Sequence, residues 1–374
     1  QQKQAFLKKR WYFQGFNGTP GLLSFPSLGN VHTGWDVLGY GYRTIIEFYE
    51  GDKAYYLYDW DDLEENLQVI LEKVKKDPHY LQWMLATDKK LRLVHDELMD
   101  ELDRREIEAF SFEEAVEEYQ RLGKSYTTAI AVSLILECFT YPTEELIRNT
   151  IIDELTKKGK RDAVEEALKV LTAADHPSFI GKHHLDMMRI ALLHDEKQKK
   201  ALVAYQKKMF WMNNAYAGTR VLDVAHFTHE VEDIKKKYAD IAHELRTQEE
   251  YFATIKKKKA ALLEQFSFSE ELKRLLAIND VMGIIHDDRK HIVTRSNHYV
   301  DLFLKKIGEG KGLPLEYMRY VAASEATVEG MKKITLELLR KRKRRSVFVY
   351  THEGGVFVLT GADADAFVEE ITKE

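Results

Sequence analysis

The feature that most restricts the fold is an apolar period of three to four residues that starts near Asp61 and runs, with interruptions, to about residue 307. Leu63, Leu67, Ile70, Leu71 and Val74 open it. Residues spaced this way share one stripe of an α-helix, and such a stripe needs a partner element to cover it. The pattern predicts further helices over residues 78–102, 111–140, 143–171, 182–209, 225–265 with a break inside, and 269–307. Asp61-Asp62-Leu63-Glu64-Glu65 sets a cap and first-turn acids where helix amides lack partners. Ser111-Phe-Glu-Glu114 and Ser267-Phe-Ser-Glu270 carry the Ser-x-x-Glu capping box. Six prolines and a charged fraction of 31% suit long solvent-washed helices rather than a loop-rich β protein. The class is therefore mainly α: an irregular helical bundle with a small N-terminal β unit and a C-terminal β-hairpin plus helix.

Residues 1–60 differ in composition from the rest of the chain. Pro20, Gly21, Pro26, Gly29, Gly34, Gly39 and Gly41 punctuate them, and strand-like runs at 42–49 and 53–58 flank the hairpin turn Glu50-Gly51-Asp52. Trp11, Phe13, Phe16, Trp35 and Trp60 read as the core or docking face of this unit before they read as a binding platform. At the other end, residues 346–350 and 356–359 flank His352-Glu-Gly-Gly355, and a short helix starts after Thr360. A hairpin and one helix cannot stand alone, so they pack on the bundle or lead into another domain. At 374 residues the chain exceeds the roughly 250–300 residues that one core usually serves. The expected division is 1–60, 61–345 in which two packed subunits fit, and 346–374 as a connector.

With 56 basic and 61 acidic residues, a net charge of −5 gives no global attraction to nucleic acid or to anionic lipid. The dense run Arg340 to Arg345 ends a predicted helix, where cations complement the dipole, and that reading outranks nucleic-acid binding. Lys256 to Lys259 reads as one solvated turn. One cysteine, Cys138, rules out an internal disulfide and a multi-cysteine zinc site, which suits a reducing cytoplasm. No run of 18 apolar residues exists, and the first ten residues lack the apolar core of a signal peptide. A soluble, unexported protein without a membrane partner is expected, and a start other than methionine suggests processing or a longer parent chain.

Candidate chemistry concentrates in the corner Lys208 to Asp223, where helical patterns give way to aromatic, amide and glycine residues. Trp211 and Tyr216 offer apolar walls, Asn213 and Asn214 two-way hydrogen bonding, and Arg220 a fork for a carboxylate or phosphate with Asp223 as its possible partner. Gly218 permits backbone turns closed to other residues. The mix suits a polar small molecule held against a ring; it also suits a plain helix-to-helix turn. The second dense stretch is His286 to Asp301. Asp287, His291 and His298 share a helix face there, a geometry that fits ion pairs between helices better than a metal site. Arg289, Arg295 and His298, if they face the corner around Arg220, would form an anion site. His176, His183 and His184 lie at a helix start and read as caps or surface residues. Gly123-Lys124-Ser125 is not a phosphate loop, because Glu118 stands where the first glycine belongs.

Three stretches, Leu171-Thr-Ala-Ala-Asp-His-Pro-Ser-Phe179, Phe210 to Asp223, and Asp287-Asp-Arg-Lys-His291, together with the ending Gly355 to Ala366, resemble the helical region that precedes the swivelling phosphohistidine domain in the phosphoenolpyruvate synthase and pyruvate phosphate dikinase superfamily. Rifampicin phosphotransferase is a better known relative of that group. The resemblance spans about the last two thirds of the chain. It implies a modular phosphotransferase in which an ATP-grasp domain phosphorylates a mobile histidine that swings to an acceptor. This chain carries neither an ATP-grasp region nor a Gly-Gly-x-x-Ser-His segment, and His352-Glu-Gly-Gly is arranged differently. No cofactor is expected in the chain itself, ATP and magnesium being implied only for those other domains. The resemblance thus implies a substrate-binding or interdomain module that meets a small anionic or polar acceptor, with phosphohistidine and ATP-grasp domains in cis or in trans. A noncatalytic helical adaptor is the alternative. The residues expected at the acceptor are Trp211, Asn213, Asn214, Tyr216, Arg220, Arg289, Arg295 and His298.

Overall fold

A computed structural model describes residue 6 and residues 9–372. Most of the amino-terminal decapeptide, in which no signal peptide is expected, lies outside the described residues. The chain is mainly helical around one antiparallel sheet. Strands β1 (Trp11–Asn17), β2 (Thr44–Glu50), β3 (Lys53–Asp59), β4 (Ser346–Thr351) and β5 (Gly355–Thr360) stand in the order β1-β3-β2-β4-β5. Both tight turns use glycine at positive φ, Gly51 at 59° and Gly355 at 76°, where a side chain would strain the backbone.

The sheet joins the two ends of the chain. β2 pairs with β4 in the register Ile45↔Tyr350, Ile46↔Val349 and Glu47↔Phe348. The terminal hairpin is therefore not a bare connector; it extends the same sheet as residues 11–59. Neither piece alone buries a face. Together, Ile46, Leu57, Val347 and Val349 make an outer face that Phe367 covers from the last helix (Ala362–Ile371). The inner face carries Tyr49, Tyr56, Tyr58, Phe348 and Tyr350 against the helical body.

The helices are α1 (Pro20–Leu28), α2 (Gly34–Leu38), α3 (Trp60–Lys76), α4 (Tyr80–Leu102), α5 (Phe112–Ala129), α6 (Leu136–Lys157), α7 (Val164–Leu171) and α8 (Phe179–Ala191). They continue with α9 (Asp195–Met209), α10 (Val224–Lys237), α11 (Ile241–Phe266), α12 (Glu270–Glu309), α13 (Leu315–Met318), α14 (Leu336–Arg344) and α15, the helix that covers the outer sheet face. At 40 residues α12 is about 60 Å long and packs along α1, α4, α5, α6 and α8. It is the spine of the body.

Several boundaries differ from the sequence reading, each for a local reason. The break expected near residue 141 falls instead at 130–135, and α6 runs on across residue 142. Ala129 to Leu136 are all buried, and a run that is apolar on every side has no period from which to read a helix face. The start of α12 is capped by Ser269, whose hydroxyl accepts from the Leu272 amide at 3.2 Å. Ser267 instead closes α11 at φ 45°. Asp59, not Asp61, caps α3. The Ser111 capping box is present in full. Gly123-Lys124-Ser125 lies within α5.

The basic run at 340–345 is drawn into ion pairs. Arg342 is buried and forks onto Glu325 at 2.6 and 2.7 Å, Lys341 meets Glu337, Lys343 meets Glu316, and Arg345 bridges Glu50 and Asp365. Among the described residues no helix is long and apolar enough to cross a membrane.

Between α1 and the inner sheet face lies a buried polar chain. Glu47 on β2 is fully buried and accepts hydrogen bonds from Ser27, from Tyr49 at 2.6 Å and from Tyr350 at 3.2 Å. The Tyr56 hydroxyl lies 2.8 Å from Ser27 Oγ, and Asn30 Nδ2 donates to Tyr56 at 2.8 Å. No cation approaches Glu47 among the described residues, and burial pushes its carboxyl up to about 7.

Candidate functional site

Where the inner face of the sheet meets the spine, packing is incomplete. A cavity of about 370 Å³ opens between β1 and β3 (Phe16, Tyr56, Tyr58), the end of α1 and its following turn (Leu23, Pro26, Asn30), the buried 130–135 turn, and α12 (Arg289, Val293). A second cavity of about 620 Å³ lies between α6, the 172–176 loop and α12, lined among others by Thr140, Thr143, His176 and His286. Gln14, Glu137 and Arg289 line both. The two form one cleft with an ion pair at its waist.

The waist follows from local sequence. Glu137 sits in the first turn of α6, directly after the apolar 129–136 run, and so enters the interior with its neighbours. Arg289 projects from α12 to meet it: Nη1 lies 3.1 and 3.3 Å from the two carboxylate oxygens and donates to the Ser133 carbonyl at 3.3 Å. Burial alone would lower the arginine pKa, but the attraction of Glu137 outweighs it and holds the guanidinium charged. Among the described residues its other nitrogens have no hydrogen-bond partner. The hydroxyls of Tyr58 and Tyr216, both at the cavity, likewise make no hydrogen bond with a described residue; both phenol pKa values are raised, by burial first. His286 stands on the second cavity with its pKa pushed down to about 4 by desolvation and by Arg289 and Lys290, so its ring is neutral near pH 7. Asn30 is buried and lines the first cavity, but its Oδ1, which has no hydrogen-bond partner among the described residues, is shielded from that cavity.

Two of the eight expected residues, Tyr216 and Arg289, meet here. The 210–223 segment is a loop stretched between two structures. Its first half turns into the helical pair α8–α10, where Trp211 is buried beside Phe179 and edge-on to His291 at 4.9 Å. Its second half reaches the sheet: the Tyr216 carbonyl accepts from the Thr19 amide at 2.9 Å, and the Tyr216 ring lies 5.8 Å from Phe16. Asn214 is a buried brace, donating to the Thr294 carbonyl and accepting from the Arg220 amide. Asn213 and Arg220 are exposed, and Arg220 has no ion pair among the described residues. Asp223 caps α10 instead of pairing with Arg220.

The anion site expected from Arg289, Arg295 and His298 does not form. Arg295 is buried against α4, with Asp100 and Asp103 each at 2.6 Å and Asp96 at 3.7 Å, so its charge is already matched. Arg289 and His298 lie nine residues apart, which puts them on opposite sides of α12. His298 lines a separate hollow of about 740 Å³, edge-on to Phe210 at 4.8 Å, with its pKa pushed down to about 4 by burial. Asp287 and His291 engage His176 and Asp96 respectively, and no group of three or more metal-ligating side chains is placed to hold an ion among the described residues. His183 is neither cap nor surface residue; it is buried between Glu230 and Tyr205.

Glu137, Gln14, Asn30, Tyr56 and Tyr58 were missed. Glu137 had a signal, since a lone carboxylate in an otherwise apolar run requires a partner in the interior. Of the aromatic candidates near the amino terminus only Phe16 reaches the cleft; Trp35 stacks on His352 and Trp60 packs edge-on to Tyr12. Comparison with known proteins finds no matching family model, no matching curated protein and no matching solved structure.

Proposed function

We propose that this chain is the acceptor-binding helical module of a phosphotransferase resembling phosphoenolpyruvate synthase, and that the cleft around Arg289 is its acceptor site. One observation carries the reading. Three of the four stretches on which the resemblance rests are distant in sequence, yet each sends residues to this cleft: Thr172, Ala174 and His176 from the first, Ala215 and Tyr216 from the second, Arg289 from the third; the ending Gly355 to Ala366 does not line it. The sheet and α12 supply rigid walls, and the 172–176 and 210–223 loops complete them.

In this reading an acceptor lies against the aromatic inner face with its reacting oxygen turned to the waist. A phosphohistidine domain, in the same polypeptide or a separate one, brings the phosphoryl group, and ATP with magnesium recharges that histidine. Arg289 and the nearby phenol hydroxyls would steady charge that spreads onto the phosphoryl oxygens during transfer. Electrostatic steadying of this kind needs donors fixed in advance, and the Glu137 contact fixes Arg289.

The test is to isolate the native polypeptide from its source and incubate it with labelled ATP and magnesium. An acid-labile phosphohistidine is expected on it or on a co-purifying chain, together with transfer to a small acceptor that Arg289→Ala diminishes at least tenfold. A native mass of 43.6 kDa with no phosphohistidine on the chain or on any partner would overturn the phosphotransfer reading.

A further inference from the structure

The waist of the cleft holds a cation with one side unused. Both Glu137 oxygens and the Ser133 carbonyl meet Arg289 at Nη1, and among the described residues Nε and Nη2 have no partner. Those two nitrogens form the edge of the guanidinium triangle opposite Nη1, and their N–H bonds run parallel, at the spacing of the two oxygens of a carboxylate. Elsewhere in this molecule the same edge is filled in that way: Arg319 holds Asp301 with Nε at 2.8 Å and Nη2 at 2.5 Å. On Arg289 the edge is bare, and the side chain keeps some accessible surface where it lines the cleft. An anion on this edge lies across the cation from Glu137, closer to the positive charge than to that carboxylate, so the existing pair stays in place.

The surroundings narrow the ligand further. The hydroxyls of Tyr58 and Tyr216 line the sheet-side cavity without a hydrogen bond to any described residue, and the Gln14 amide at the waist makes none either. Donors therefore predominate, which suits a ligand rich in acceptors. Beyond them Leu23, Pro26, Phe16 and Val293 help to enclose about 370 Å³, near the lower end of the roughly 300–1,000 Å³ typical of ligand pockets, so the body of the ligand is small and apolar. An acceptor hydroxyl would also need a base to take its proton. The one carboxylate lining this cavity, Glu137, is already held by Arg289, and no histidine lines it among the described residues. A carboxylate acceptor needs no base, being ionised at neutral pH. Resting on the reading of this cleft as the acceptor site, we propose that its acceptor is a small carboxylic acid with an apolar, ring-sized body, bound as the anion across Nε and Nη2 of Arg289. Transfer then breaks the P–N bond of the phosphohistidine and forms a P–O bond to a carboxylate oxygen. The electron pair stays on the imidazole nitrogen, which takes a proton from water, and the product is an acyl phosphate.

Benzoate, benzamide, acetate and inorganic phosphate separate the parts of this proposal. Their binding to the full chain is followed by ligand-observed NMR at about pH 7.5, where a carboxylic acid is ionised. Benzoate should bind best, benzamide about tenfold more weakly for want of charge, and acetate about tenfold more weakly for want of a ring. Arg289→Lys keeps a cation beside Glu137 but loses the two-pronged edge, and should weaken benzoate about tenfold. Tyr58→Phe and Tyr216→Phe remove hydroxyls that serve no internal bond, so each should leave the unfolding temperature unchanged while weakening benzoate about threefold. Ala215→Trp, at the exposed cavity mouth, should abolish binding. Benzamide binding as well as benzoate would overturn the proposal, as would benzoate binding to Arg289→Lys or Ala215→Trp as it does to the wild type. Phosphate that binds and is weakened by Arg289→Lys, while benzoate does not bind, would overturn it too, yet keep Arg289 as the seat of phosphoryl charge. If neither anion binds, the acceptor reading of the cleft falls with the proposal.

Discussion

At the scale of single residues, the pair Glu137 and Arg289 is the point on which the centre of the molecule turns. Glu137→Ala would leave a guanidinium that is 19% exposed with no counter-charge. The expected cost is at the lower end of roughly 3–5 kcal/mol, because the cavities on either side admit some water. The double variant Glu137→Leu with Arg289→Met should recover most of that loss in urea unfolding, since it removes both charges together. If the double variant is as unstable as the single, the pair is not what holds this junction. Arg289 was readable from sequence as a functional candidate, but its partner was not. Spacing along α12 says which side chains share a face; it does not say which neighbouring element that face meets. For the same reason Arg295, equally basic and three residues from His298, turned out to be bound by aspartates of α4.

At the scale of elements, β2 carries a feature that a period-of-two reading hides. Glu47 takes an inward position in a strand whose other inward residues are apolar or aromatic, and it is matched only by hydroxyls from α1, β2 and β4. Its folded pKa of about 7 lies above the ordinary value of 4.5, so the fold binds the protonated form more tightly than the unfolded chain does. The associated stability is present in full below about pH 4.5 and is lost as the pH rises through about 7. The loss is about 3 kcal/mol. Glu47→Gln should remove this component, so that the stability difference between wild type and variant changes across that window; a constant difference would show that Glu47 titrates normally. Among the helices, α4, α10 and α12 and the Ser111 cap were legible, because amphipathic stripes and short capping motifs are local. The break at 130–135 was not, since uniform burial erases the stripe.

At the scale of the whole molecule, the expected small β units at the two ends were both present, and what sequence could not supply was that they are one. Strand pairing between β2 and β4 depends on partners that meet only after the intervening helices have packed. Removing residues 346–374 should therefore do more than trim a tail: it strips Tyr350 from Glu47 and leaves the inner edge of β2 without its neighbour. The truncated chain is expected to aggregate or to lose cooperative unfolding, as followed by light scattering and calorimetry. A soluble, cooperatively folding 1–345 chain would show that the terminal hairpin is an ornament. Glu47 and Tyr350 are 303 positions apart. At the roughly 5–20 residues per second of protein synthesis, a nascent chain displays the unpaired edge of β2 for on the order of fifteen to sixty seconds before its neighbour leaves the ribosome. That interval is long enough for a passing strand or a chaperone to find it first.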